Sequence, residues 1–178
     1  WRGRADGTPP AQAADFPDRP DAALFAALTD GATRPVDVLA DRLSRPEAHE
    51  SLLPRDEWSS IEVWTETELA ALHALWWHAY PPTTTPDGAV EPLRKLVRAV
   101  TAWHVDEIQP DNATNHAWAT HVFLHAHFAD GLPGADLHAQ TLTHNCMVSL
   151  GRPDRLSAHV LADAAEALEH LVAMRSRA

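Results

Sequence analysis

The stretch TETELAALHALWWHAYPP, residues 65–82, decides the fold. Leu69, Leu72, Leu75, Trp76 and Tyr80 recur at the three- and four-residue spacing of one helix face. Thr65-x-x-Glu68 reads as a capping box at the start, and Pro81-Pro82 cannot continue a helix at the end. Trp76 and Trp77 are adjacent and therefore about 100° apart around the axis. A narrow apolar face cannot bury both, so one of them must meet a second packing layer, a ligand or a partner. Trp76 and Trp77 are for this reason the interface candidates.

The same periodicity extends outward in both directions. Downstream, the spacing predicts a long helix over 90–108, carrying Leu93, Leu96, Val97, Val100, Trp103 and His104, until Pro110 breaks it. Helices over 113–129 and 135–150 follow, joined by DGLPG at 130–134, and Gly151 and Pro153 precede a last helix over 154–174. Upstream, Asp18 caps a helix to about residue 29 that Gly31 stops, and a second helix spans 33–45. Ser44-x-x-Glu47 reads as a further capping box opening a short helix to about residue 53, with RDEWSSIEVW at 55–64 as a connector. No segment alternates with the period of a strand. The expected class is all-α, with antiparallel helical hairpins forming a bundle or a short stacked helical array. Residues 1–17, rich in proline and alanine, read as an arm or tether, and 18–178 as a single helical domain.

Composition narrows the partners. A chain of 178 residues is one domain's worth and buries enough apolar surface to need no staple. Its net charge of −11 repels phosphate backbones, so nucleic acid is not an expected partner, and the expected partner is a protein. The lone cysteine, Cys146, excludes an internal disulfide and a cysteine-based zinc knuckle. LAALHALWW at 69–77 falls well short of the roughly 20 residues a membrane-spanning helix needs, so no span lies within the chain. The opening WRGR fits the flank of a removed N-terminal anchor, or an arbitrary chain boundary. On the first of these readings the domain is exported or membrane-tethered.

Polar chemistry concentrates in QPDNATNHAW, residues 109–118. Reflection about a turn near Pro110 sets His104 opposite His116. The next two turns return His144 and Asn145 to the same level. His104, Asp111, Asn112, Asn115, His116, His144 and Asn145 are therefore the candidate ligand-binding residues at one bundle end, where helix N-terminal N–H groups favour anionic or polar ligands. Asp111, Asn112 and Asn115 suit helix capping equally well.

Twelve histidines raise the question of zinc or another divalent metal. His121 and His125 are four residues apart on one helix face, and reflection about Gly131 adds His138 to give a three-histidine candidate. HExxH is absent because Val122 follows His121, and no GxGxxG, P-loop or GxSxG occurs. His144 lies about 100° around the helix from Cys146 or further, too far to serve it as a base, and a buried cysteine packing as a small apolar side chain is the better expectation. The leading expectation is a non-enzymatic helical interaction or scaffold domain, the soluble part of a membrane-tethered protein or an accessory subunit of a larger assembly. The alternative is a ligand- or metal-binding helical domain, a hydrolase among the possibilities, with a His/Asn-rich site at one end of the bundle.

Overall fold

The computed structural model describes residues 20–30, 39–45, 48, 50–55, 58, 60–82, 87–108, 115–149 and 155–176. Asp18, Gly31, the arm at 1–17, and Asp111 and Asn112 lie outside them. The described residues form α1 (Pro20–Asp30), α2 (Ala40–Leu43), α3 (Ile61–Ala79), α4 (Asp87–Glu107), α5 (Thr120–His125), α6 (Ala135–Ser149) and α7 (Arg155–Arg175). The end of α5 widens into a π-helical turn, Ala126–Asp130. No strand occurs among the described residues, and the architecture is all-α, with helices packed on one another as in a bundle or stacked array.

The helix read from residues 65–82 is the centre of the molecule, and it is wider than one apolar face implies. Fourteen of the nineteen residues of α3 are buried, so it is enclosed on all sides rather than along one stripe. α1 and α4 pack along it and α5 crosses it. Trp76 and Trp77 are therefore both buried, each against a different neighbour, and the second layer required by their adjacency is intramolecular.

The start of α3 corrects the capping-box reading. Ser60 is the N-cap, its hydroxyl accepting from the Val63 N–H at 3.3 Å, and Thr65 is already inside the helix with its hydroxyl donating to the Ile61 carbonyl at 2.8 Å. Glu68 lies one turn deeper and is completely buried. Its carboxylate accepts the Leu52 N–H at 2.6 Å and the Leu53 N–H at 2.8 Å. The Trp64 indole donates to the Leu53 carbonyl at 3.3 Å. The helix expected up to about residue 53 is consequently absent over residues 50–53, where backbone N–H groups are claimed by a carboxylate of α3 instead of by helical carbonyls.

Two connections differ in length from the expectation. α5 begins at Thr120 rather than near 113, so residues 115–119 belong to the approach and His104 meets Phe123, not His116 (ring centroids 6.2 Å). Gly131, at φ +68°, ends the π turn, and the hairpin it begins stacks His138 on Phe123 (centroids 4.4 Å). The simple reflection paired His138 with His125. The widened π turn shifts the register, and His125 faces α3 instead.

Replacing Glu68 with alanine leaves two buried N–H groups without acceptors and is expected to cost roughly 2–4 kcal/mol. Glu68→Gln, which keeps one acceptor oxygen, is expected to cost less. Urea unfolding followed by tryptophan fluorescence measures both.

Candidate functional site

One group of the interior polar residues lies where α3, α5 and α7 meet. His73 sits at the middle of α3 with no exposed surface. Its Nδ1 accepts the backbone N–H of Ala119 at 3.2 Å, which places the ring proton on Nε2. Nε2 donates to Asp163 Oδ2 of α7 at 2.6 Å, and the Trp77 indole donates to the same oxygen at 2.9 Å. Burial alone raises the Asp163 pKa. The hydrogen bonds that its carboxylate accepts from His73 and Trp77 outweigh it and hold the carboxyl below its ordinary value. Ala119 is the only described non-glycine residue with a positive φ, at 58°, a conformation disfavoured for alanine by Cβ crowding. The hydrogen bond to His73 fixes that turn.

His121, in the first turn of α5, lies edge-on to His73 (centroids 4.4 Å) and to Trp76 (4.8 Å). Neither ring nitrogen has a hydrogen-bond partner. Burial, reinforced by His73 and His125, pushes its pKa well below the usual histidine value. A near-perpendicular ring contact allows an N–H to point at an aromatic face, a weak substitute for a conventional bond. His125 Nδ1 accepts from the Trp76 indole at 2.9 Å.

The second half of the site reaches the surface. Glu66 of α3 accepts the Trp118 indole N–H at 2.8 Å and the Asn115 backbone N–H at 3.1 Å. His116 Nε2 is 3.8 Å from Glu66 Oε1, and His116 Nδ1 is 2.8 Å from Ser157 Oγ of α7. The His116 and Glu66 side chains keep 17% and 27% of their surface exposed, whereas Ser157 is fully covered. Trp118 stands between the halves, in edge contact with His73 (5.4 Å) and His116 (6.3 Å). The arrangement runs from Asp163 through His73, Trp118 and His116 to Ser157, and both ends lie on α7.

Of the candidates read from the sequence, Asn115 and His116 belong to this arrangement. His104 does not. It is buried beside Trp64 and Trp103, with Nε2 3.5 Å from Glu68 Oε1. His144 is exposed and Asn145 half-buried on α6. The three-histidine candidate separates: His121 faces His73 and Trp76, His125 faces Trp76 and Tyr80, and His138 lies on Phe123 near His104. Among the described residues no group of three or more His, Cys, Asp or Glu side chains is arranged to hold a metal ion. Cys146 is buried.

Four members went unread in the sequence: Glu66, His73, Ser157 and Asp163. For Ser157 a signal exists. It shares the spacing of Val160, Ala164 and Ala167, the buried stripe of α7, so a hydroxyl stands in a core position.

The buried imidazoles set a pH dependence. Burial, with His104 nearby, lowers the His138 pKa to about 4. An unfolded histidine takes up its proton near pH 6.5, so between these values the unfolded chain binds more protons and stability falls as pH falls. His138 contributes about 3 kcal/mol of that loss, and His121 acts in the same direction. Asp163 acts lower, its stabilisation vanishing as pH drops through its depressed folded value. His138→Phe, which preserves the stacking on Phe123, is expected to remove most of the His138 share; urea unfolding at about pH 7 and about pH 4.5 measures it, and an unchanged difference refutes the assignment. Comparison of the chain with models of protein families, with curated sequences and with solved structures finds no match.

Proposed function

We propose that this domain binds a small, uncharged or cationic polar molecule at the rim formed by Glu66, His116 and Trp118, above the covered hydroxyl of Ser157. The observation that carries the reading is His116, a partly exposed imidazole set between a hydroxyl of α7 and a carboxylate of α3. Such a site offers a donor, two acceptors and an aromatic surface within one imidazole's reach. Glu66 and the net charge of −11 disfavour anionic ligands. The arrangement contains Asn115 and His116 of the site expected at one bundle end and joins Glu66 and Ser157 to them.

A protein partner is the second reading. Trp76 and Trp77 are buried and do not form its surface, but Phe128, Leu137, Met147 and Val148 are exposed large apolar residues. Leu137 and Val148, eleven residues apart, fall on one stripe of α6. An interaction or scaffold domain would use this face.

Acetamide and acetate serve as neutral and anionic probes. Acetamide is expected to shift the His116 ring and Trp118 indole resonances saturably in nuclear magnetic resonance spectra, acetate is not, and His116→Gln is expected to abolish the Trp118 shift with the circular dichroism unchanged. Absence of any His116 shift with acetamide overturns the ligand-binding reading. For the partner reading, light scattering over a dilution series is expected to show self-association weakened by Leu137→Lys if the partner is a second copy.

A further inference from the structure

Ser157, His116 and Glu66 stand in the order hydroxyl, imidazole, carboxylate, and this order carries a chemical consequence beyond binding. We propose that Ser157 is a nucleophile that accepts the acyl group of a small uncharged carboxylic ester, with His116 as its base. The proposal deepens the ligand-binding reading and rests on it.

The geometry is that of a proton relay. Ser157 Oγ is 2.8 Å from His116 Nδ1, within the reach needed for proton transfer. The opposite nitrogen, Nε2, faces Glu66 Oε1 at 3.8 Å, where the carboxylate stabilises the imidazolium that forms. Glu66 is itself held by the Trp118 indole and the Asn115 N–H, so it is a positioning residue. The two imidazole nitrogens exchange the places they take in the commonest serine relays. The ring is conjugated, so either nitrogen can act as the base while the other carries the second proton.

Ser157 is also the third residue of α7, in the first turn, where backbone N–H groups without helical partners and the helix dipole favour negative oxygen. In the forward step Oγ bonds to the acyl carbon as its proton passes to Nδ1. The tetrahedral intermediate collapses, the C–O bond to the alcohol breaks, and His116 returns the proton to the departing alkoxide oxygen. Water then attacks the Ser157 ester, giving its proton to His116, and the carboxylic acid leaves as Oγ regains a proton. No oxidant or metal enters the balance. Ser157 is covered, and its hydroxyl also donates to the Asn115 carbonyl at 3.4 Å, so an acyl carbon reaches it only when that contact opens. Substrates are therefore small.

A purely structural Ser157 would tie the 115–119 segment to α7 and would not react with electrophiles. Exposed histidines hydrolyse activated esters without a site, so turnover of a nitrophenyl ester is not decisive. Covalent trapping is. The full chain is treated with methanesulfonyl fluoride, a small reagent, in which the O–S bond forms, the S–F bond breaks, fluoride leaves and His116 takes the proton. The expected result is a single adduct by intact mass, mapped to the Ser157 peptide, absent in Ser157→Ala and slowed about 100-fold in His116→Gln. Ser157→Cys, which retains a small side chain with a weak donor, is expected to alkylate with iodoacetamide at that position and keeps the test available if the alanine variant unfolds. No adduct on Ser157 in the folded wild-type chain, or equal labelling of His116→Gln, overturns the nucleophile. If acetamide still shifts His116 while no adduct forms, the nucleophile fails and ligand binding stands.

Discussion

Enclosure of α3 on every side is the constraint on which the rest of the structure depends. A helix with one buried stripe can keep its polar residues in water, but a central helix cannot, and α3 carries Glu66, Glu68 and His73 into its own packing surface. Each polar side chain therefore needs a partner from another segment. Glu68 takes the backbone of residues 52 and 53, His73 takes Asp163 and the Ala119 N–H, and Glu66 takes Trp118 and the Asn115 N–H. The surrounding elements are positioned by the polar groups of the helix they cover as well as by its leucines.

This division of labour explains the shape of the candidate site. Hydrophobic contact is non-directional and sets how closely helices approach, whereas hydrogen bonds of fixed length select one register. α7 shows both. Val160, Ala164 and Ala167 face the interior, and Ser157 and Asp163 fix its position through His116 and His73. The His116 side chain meets groups from three directions, the Ser157 hydroxyl, the Glu66 carboxylate and the Trp118 ring. Deeper in the core, His121 has no hydrogen-bond partner and stands among aromatic rings instead, and His104 has only the Glu68 carboxylate at 3.5 Å beside its aromatic neighbours.

The fold was largely legible in the sequence because its signal is periodic. Leu69, Leu72, Leu75 and Trp76 announce α3, Pro81-Pro82 ends it, and helices near 90–108, 135–150 and 154–174 appear within a few residues of where spacing placed them. Capping motifs were less informative. Thr65 and Glu68 have the residue types and interval of a capping box, yet one is an interior threonine and the other a buried carboxylate, because a short motif does not reveal what packs over it. The site was legible only in part. Asn115 and His116 stand out within a dense polar stretch, but their partners, Glu66 and Ser157, lie about fifty positions before and forty after, with nothing in their own neighbourhoods pointing to that stretch. Reflection across turns fails at that distance. The length of residues 115–119 and the widened turn at Ala126–Asp130 both displace the register, and neither is encoded by hydrophobic spacing.

The bond between His73 and Asp163 spans ninety positions, and that between Trp77 and Asp163 eighty-six. Closing a loop of that length costs chain entropy that local helical contacts do not, and such contacts slow folding relative to a helical protein built only from neighbouring hairpins. The helices from α3 through α6 can dock through contacts made closer along the chain. α7 makes its polar anchors to His73, Trp77 and His116, all more than forty positions earlier, so the candidate site exists only where these distant segments are held together.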